Sequence, residues 1–461
     1  MNSTAVLSVE AMRAAEQAAM NAGISEWELM QRAGQGAARW VMRMAAGRPV
    51  TVLCGPGNNG GDGYVIAGCL HAKGYKVRVI APVEPKSETA RKARAAFDGE
   101  VMGRAALTDP VVVDCLFGYG LSRNAKGEFA NLLEELAASD CYKIAIDVPS
   151  SVESDSGSVL GPLPRYNLTL ALGAWKQAHF LMPAMASMGA LRCVPIGLAL
   201  NDASDQSTTA PRLTAPAADS HKYRRGLLAV VAGSMPGAPL LSAEAAMHAG
   251  AGYVKLVSDH SHPDAPADLV IEQDLDAVLE DERISAVLTG PGLGRDDEAR
   301  KRLSRVLGSG RPCVLDADAL HLLRPDMLKG ADVTKLCLTP HEGELATLCE
   351  SFGVTLQSKL DRARRLHDVT GMTVLAKGPD TVLADREGMR FFPRGSSWLS
   401  VAGSGDVLAG IVASRLAVHS DTMRACEEAV WLHHEAARRA APAFSASDLA
   451  CALIPAMASF L

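Results

Sequence analysis

Val50-Thr-Val-Leu-Cys54 runs directly into Gly55-Pro-Gly-Asn-Asn-Gly-Gly-Asp-Gly63, and residues 64–73 then resume an apolar pattern. The first five residues have the character of a strand buried on both faces, and the stretch after Gly63 has helical potential. Strand, glycine loop and helix in this order form a phosphate-binding arrangement, because the backbone amides opening the helix point at whatever the loop encloses. The loop is not the G-x-G-x-x-G fingerprint followed by a ribose-binding acid, and no G-K-[ST] closes it as in a Walker loop. An ordinary dehydrogenase is therefore disfavoured, while a parallel α/β sheet is expected.

The pattern extends outward on both sides. Apolar spacing predicts helices over 8–23 and 26–44 ahead of the loop. Beyond it come a strand over 76–81, a helix over 87–97, the strand Val111-Val-Val-Asp-Cys115 and the loop Gly118-Tyr-Gly-Leu-Ser-Arg-Asn124. A further strand, Lys143-Ile-Ala-Ile-Asp147, leads to Val148-Pro-Ser-Ser-Val-Glu-Ser-Asp-Ser-Gly157. Three strand ends thus carry Asn58, Asn59 and Asp62, then Asp114, then Asp147 and Ser150 to the edge where parallel sheets bind ligands. Asn59, Asp114 and Ser150 offer oxygens suited to a hard monovalent or divalent cation, which leaves Asp147 for acid–base work. Taken singly, each of these acids reads as well as a cap or turn former.

Residues 198–220, rich in Ala, Ser, Thr, Asp and Pro, have no sustained apolar period and read as a linker. A second α/β rhythm follows, with His221-Lys-Tyr-Arg-Arg-Gly226, a strand over 227–232, a loop over 233–237, a helix over 242–249 and a strand over 253–257. Apolar segments ending in polar loops recur at residues 286–294, 312–320, 336–344 and 373–381. In Val401-Ala-Gly-Ser-Gly-Asp-Val-Leu-Ala-Gly410, Gly403 and Gly405 free the backbone, and Asp406 falls at the start of a helix. Such a helix start seats a phosphate, and Asp406 beside it can take a proton from a hydroxyl that attacks a terminal phosphoryl group. A glycine turn with an aspartate cap is the plainer alternative. Lys377 and Gly378 are placed to meet nucleotide phosphates, while Asp316, Asp318, His341, Glu342 and Glu344 can line the substrate or a magnesium-bound phosphate.

A chain of 461 residues with 48% hydrophobic and 21% charged residues suits two soluble α/β domains. Its formal charge of -6 gives no general attraction to nucleic acid or to an anionic membrane, so neither is expected as a partner. The ten cysteines show no C-x-x-C pair and read as reduced thiols. Neither a secretory signal nor a membrane-length apolar run is evident, and a cytoplasmic location is expected.

Residues 54–64, 114–124 and 147–157 resemble the N-terminal domain of the NAD(P)HX repair enzymes, the hydrated-nicotinamide epimerase. Residues 221–226, 290–294, 316–320, 338–344, 377–381 and 403–408 resemble, in order, the ribokinase-like dehydratase domain of the same family. The resemblance implies a Rossmann-like epimerase domain over 1–205 and a ribokinase-like dehydratase domain over 206–461. It implies that Asn58, Asn59, Gly60, Gly61, Asp62, Gly118, Tyr119, Gly120, Leu121, Ser122, Arg123, Asn124 and Asp147 hold the hydrated dinucleotide. Asp147 would move the proton, and Asn59, Asp114 and Ser150 would hold potassium. In the second domain, Ala245, Gly292, His341 and Asp406 would bind the hydrate, with Asp406 catalytic. Lys377, Gly378, Pro379, Asp380, Thr381 and Gly405 would bind the adenine nucleotide. The implied ligands are NADHX, NADPHX, ADP as co-substrate, potassium and magnesium, and the expected assembly is a homo-oligomer. Ser151 and Glu153 depart from the glycine and aspartate usual after the Pro-Ser pair. Two other readings compete: a ribokinase-like kinase for a vitamin precursor, and a scaffold whose first domain has lost catalysis.

Overall fold

The computed structural model describes residues 4–200, 203–260 and 262–461; Asn201 and Asp202 of the expected linker, and residues 1–3 of the expected first domain, lie outside the described residues. The chain forms two compact units, Met1–Ser207 and Thr208–Leu461.

In the first unit seven parallel strands lie in the order Glu100–Met102, Val77–Ile80, Val50–Cys54, Val111–Cys115, Tyr142–Ile146, Leu168–Leu172 and Ala190–Val194. Val50–Cys54 and Val111–Cys115 are buried at every position, as expected of central strands covered on both faces. Chain order reverses between these two strands, which makes the gap between them the topological switch point. Gly55 is required there, since a Cβ on it would lie 1.8 Å from the Leu116 carbonyl oxygen.

The glycine segment expected as a loop is in fact helical. The helix runs Asn58–Ala72, beginning six residues ahead of the expected start. Glycine is a poor helix former, but a Cβ at Gly60 would come within 1.9 Å of the Gly55 carbonyl oxygen, so the first turn packs directly on the strand end. Gly57 at the N-cap supplies no side-chain cap, leaving the opening amides for a ligand.

In the second unit the strands lie in the order Gly388–Phe391, Val382–Asp385, Thr373–Ala376, Leu336–Leu338, Cys313–Leu315, Ile284–Thr289, Leu227–Val231, Tyr253–Val257 and Val270–Glu272. All pairings are parallel except the two that Val382–Asp385 makes. The switch point falls between Leu227–Val231 and Ile284–Thr289, where a Cβ on Gly233 would lie 1.8 Å from the Leu293 carbonyl oxygen. The helix expected over 242–249 runs Gly237–His248 and takes in the end of the expected loop. It crosses Ser404–His419 so closely that a Cβ on Gly410 would lie 2.2 Å from the Ser242 carbonyl oxygen. Among the described residues no helix is long and apolar enough to cross a membrane.

Candidate active sites

The switch point of the first unit opens into a cavity of about 570 Å³, lined among others by Arg13, Glu16, Glu26, Asn58, Asn59, Asp62, Gly118–Arg123, Asp147 and Lys176. Asp147 follows Tyr142–Ile146 and has φ of 69°, a left-handed conformation that few non-glycine residues adopt. Its carboxylate is held from three sides. Tyr119 N donates to Oδ2 at 2.9 Å, while Leu172 N and Lys176 Nζ donate to Oδ1 at 3.3 and 2.5 Å.

Lys176 is fully buried, and its ammonium also donates to the carbonyls of Leu172 at 2.7 Å and Ala174 at 3.2 Å, using all three of its protons. His179 Nδ1 accepts from Lys176 N at 2.9 Å, so Nε2 carries the proton and donates to the Asp147 carbonyl at 2.8 Å. Burial pushes the His179 imidazole down to about 4, so it remains neutral in this role. Lys176 and His179 were missed in the sequence. The one available signal was a lysine closing an otherwise apolar strand-like run, Leu168-Thr-Leu-Ala-Leu-Gly-Ala-Trp-Lys176.

Gly118 packs against both key groups: a Cβ there would lie 3.0 Å from Asp147 Oδ2 and 3.3 Å from Asn59 Cβ. Asn58 is tied to the protein, donating to Glu26 Oε1 at 2.8 Å and accepting from Ser87 Oγ at 2.6 Å. Tyr119 OH donates to Glu16 Oε2 at 2.6 Å. Burial raises the Glu16 carboxyl above its ordinary range. Burial, then the charges of Asp147 and Glu16, raises the Asp62 carboxyl well above the usual carboxylate range.

Other expected residues lie behind this surface. A Cβ at Gly61 would meet Met30 Cε at 2.4 Å, so Gly60 and Gly61 serve helix packing. Asn124, Asp114 and Ser150 are absent from the cavity lining. Asp114 accepts from Leu116 N, Ser150 Oγ, Ser150 N and Tyr166 OH at 3.0, 2.7, 3.2 and 2.5 Å, and Ser150 Oγ accepts from Phe117 N at 2.9 Å. Asn59 Nδ2 donates to the Ile146 carbonyl at 3.3 Å, whereas the buried Asn59 Oδ1 has no partner.

The two departures from the family pattern also have a structural account. Ser151 has φ of 83° and a buried, unpartnered Oγ, which is the conformation a glycine takes without strain. The longer Glu153 turns back to accept from Asp155 N at 3.2 Å, Ser156 N at 2.7 Å and Ser156 Oγ at 2.6 Å, closing the turn itself.

In the second unit Gly403, at φ of 88°, opens the helix Ser404–His419 and puts Asp406 in its first turn. Lys377 Nζ donates to Asp316 Oδ1 at 2.6 Å and lies 3.9 Å from Glu344 Oε2. A Cβ on Gly405 would be 3.5 Å from that ammonium. Burial, followed by the charge of Asp316, pushes the Asp406 carboxyl up to about 6, against the opposing pull of Lys377. Burial alone would lower Lys377, but the charges of Asp316, Glu344 and Asp406 outweigh it and leave the ammonium above its ordinary value.

His341 is the N-cap of Glu342–Ser351; its Nδ1 accepts from Gly343 N at 3.0 Å and Glu344 N at 3.3 Å, and its ring is 59% exposed. Thr381 Oγ1 donates to the Gly378 carbonyl at 2.7 Å, and Asp380 pairs with Lys359 at 2.7 Å, so residues 378–381 form a tied turn around Pro379. Gly292, at φ of 63°, lets Met235 N reach its carbonyl at 3.1 Å. Ala245 is fully buried in the apolar core, so its methyl packs against other side chains.

The descriptions "YjeF-related protein N-terminus" and "NAD(P)H-hydrate dehydratase" match residues 26–178 and 228–458. The chain is 33% identical over 93% of its own length and 93% of the other's to the bifunctional NAD(P)H-hydrate repair enzyme Nnr of Coxiella burnetii. It is 34% identical, with 93% of each chain covered, to the enzyme of the same name from Thermanaerovibrio acidaminovorans. The chain belongs to the bifunctional NAD(P)H-hydrate repair enzymes. A ribokinase-like superfamily protein from Enterococcus faecalis shares the fold of the second unit, at TM-score 0.50 and 22% identity over 56% of this chain and 96% of that one. Membership in the repair family, with both domain descriptions matched in one chain, supports bifunctional repair over the kinase and scaffold readings.

Proposed function

We propose that the first unit interconverts the R and S forms of hydrated NADH or NADPH at Asp147, and that the second unit dehydrates the S form at Asp406 with ADP as phosphoryl donor. The observation that carries this reading is the setting of Asp406: a carboxyl pushed up to about 6, at the opening of a helix and beside the Lys377 ammonium. A base with that proton affinity is poised to take a hydroxyl proton near neutral pH, while the helix amides and Lys377 receive phosphate charge.

The substrate hydroxyl oxygen attacks the terminal phosphorus of ADP as Asp406 takes its proton, and AMP leaves. The carbon–oxygen bond then breaks with the ring nitrogen's lone pair assisting and phosphate departing. Loss of a proton from the neighbouring carbon restores the dihydronicotinamide. Gly378–Thr381 and Gly405 hold the nucleotide in this scheme, with His341 and Gly292 toward the hydrate. In the first unit Asp147 moves the proton that lets the hydroxyl-bearing carbon lose its configuration, with Tyr119 N, Leu172 N and Lys176 fixing the carboxylate.

Asn59, Asp114 and Ser150 would hold potassium. The orphaned Asn59 Oδ1 supports this, since a buried oxygen without a donor calls for a partner. Ser150 Oγ can turn its proton from Asp114 Oδ1 to the Phe117 carbonyl at 3.3 Å, which frees a lone pair on the carboxylate. Such an ion would supply a fixed positive charge near Asp147. Magnesium would accompany the nucleotide phosphates. Ten free cysteines, most of them buried, suit a reducing, cytoplasmic compartment.

Product stoichiometry tests the reading. With the S hydrate and ADP, the proposal requires one AMP and one phosphate per dihydronicotinamide. Dehydration without AMP release would sink it.

A further inference from the structure

Four carboxyl groups line the cavity of the first unit, and three of them are already engaged. Asp147 is bound by Lys176 and two amides, Glu16 by Tyr119 OH, and Glu26 by Asn58 and the Thr89 hydroxyl. Asp62 is different. It is 8% exposed and faces the cavity from Asn58–Ala72, and among the described residues no hydrogen bond or ion pair reaches its carboxyl. Its carboxyl is open to the cavity and held by no protein donor among those residues, so a ligand there can supply its partner.

Resting on the epimerase reading of this cavity, the geometry points to Asp62 as a second proton-transferring residue, the acid that works with Asp147 as base. Burial and the neighbouring negative charges of Asp147 and Glu16 raise its carboxyl well above the usual carboxylate range, the direction that favours a proton donor.

The division of labour suits reversible opening of the hydrated ring. Asp147 takes the hydroxyl proton, a carbon–oxygen double bond forms, and the carbon–nitrogen bond breaks. The electron pair goes to the ring nitrogen, which takes the proton of Asp62. After rotation the nitrogen attacks the other face of the carbonyl carbon and returns its proton to Asp62, while the oxygen recovers the proton held by Asp147. Both groups end as they began. Loss and return of water would instead leave Asp62 ionised and Asp147 protonated after each inversion, requiring a separate reset.

The test follows inversion of the purified R hydrate without nucleotide, by chromatographic separation of R and S, in Asp62→Asn and Asp147→Asn. Asp62→Asn is expected to lower kcat by about 10²–10⁴-fold with KM within a few-fold and the melting temperature retained. Asp62→Glu, which keeps the proton, should recover at least part of that loss. In ¹⁸O water the wild-type chain should invert the substrate without taking up one label per event. A raised KM with unchanged kcat would make Asp62 a binding group and overturn the proposal, and label uptake at each inversion would overturn the ring-opening step. Loss in Asp147→Asn alone refutes the role of Asp62 but leaves the epimerase reading standing, whereas full rates in both variants remove that reading itself.

Discussion

Both sheets turn at the same kind of corner, with Gly55 pressed onto the Leu116 carbonyl and Gly233 onto the Leu293 carbonyl. The carboxylates proposed to act in the two units nevertheless sit in opposite company. Asp147 is nearly fully buried and shares its Oδ1 with a buried ammonium. Asp406 is less enclosed, and its nearest cation is already committed to Asp316. The first arrangement fixes the carboxylate in place through a paired cation, and the second leaves a carboxyl with no cation of its own and a raised proton affinity. Similar corners in a parallel sheet therefore say where a ligand goes, and the ion pairs around the carboxylate say what can be done to it.

The largest expected effect is on Asp406→Asn, which should slow ADP-dependent use of the S hydrate by about 10²–10⁴-fold while R to S conversion continues. Near-normal turnover would show that Asp406 does not take the proton and is only a first-turn acid of Ser404–His419. Steady-state rates on each epimer decide between them.

Lys176→Met should destabilise the first unit by about 3–5 kcal/mol, because it leaves Asp147 buried without its cation. Denaturant unfolding measures this. An unchanged midpoint would mean that the pair does not hold the site.

A pH effect distinguishes the second unit. The Asp406 carboxyl, up at about 6, lies above its unfolded value, so the folded protein binds more proton between the two. The stability it contributes is complete below the unfolded value and is lost as pH rises through about 6. The rate of dehydration should rise through the same range as the base becomes ionised. Melting curves of wild type and Asp406→Asn against pH should diverge there, and parallel curves would contradict the assignment.

The smallest effect is on Ser151→Gly, expected to stabilise by about 1 kcal/mol through relief of a left-handed serine and an orphaned hydroxyl. A lower melting temperature would show that Ser151 makes up for its strain elsewhere.

Strands such as Val50–Cys54 and Val111–Cys115 were legible because a centrally placed parallel strand must be apolar throughout. The helical start at Asn58 was not, since Gly60, Gly61 and Gly63 argue against helix until the Gly55 carbonyl is seen against Gly60. The positions of Asp147 and Asp406 at a strand end and a helix start could be read from local pattern. Lys176 could not: it meets Asp147 from 29 residues away, and no periodicity encodes that pairing. The burial of Ala245 was not legible either, because its motif position gave no sign that Gly237–His248 turns that methyl into the core.

The most direct test of two sites acting in series is complementation. Asp147→Asn and Asp406→Asn are incubated separately and together with the R hydrate and ADP, following recovery of dihydronicotinamide absorbance. Neither variant alone should recover it above the spontaneous rate, and the mixture should restore it fully, the first variant dehydrating what the second has inverted. Recovery by Asp147→Asn alone, or none in the mixture, would contradict the division of the reaction between Asp147 and Asp406.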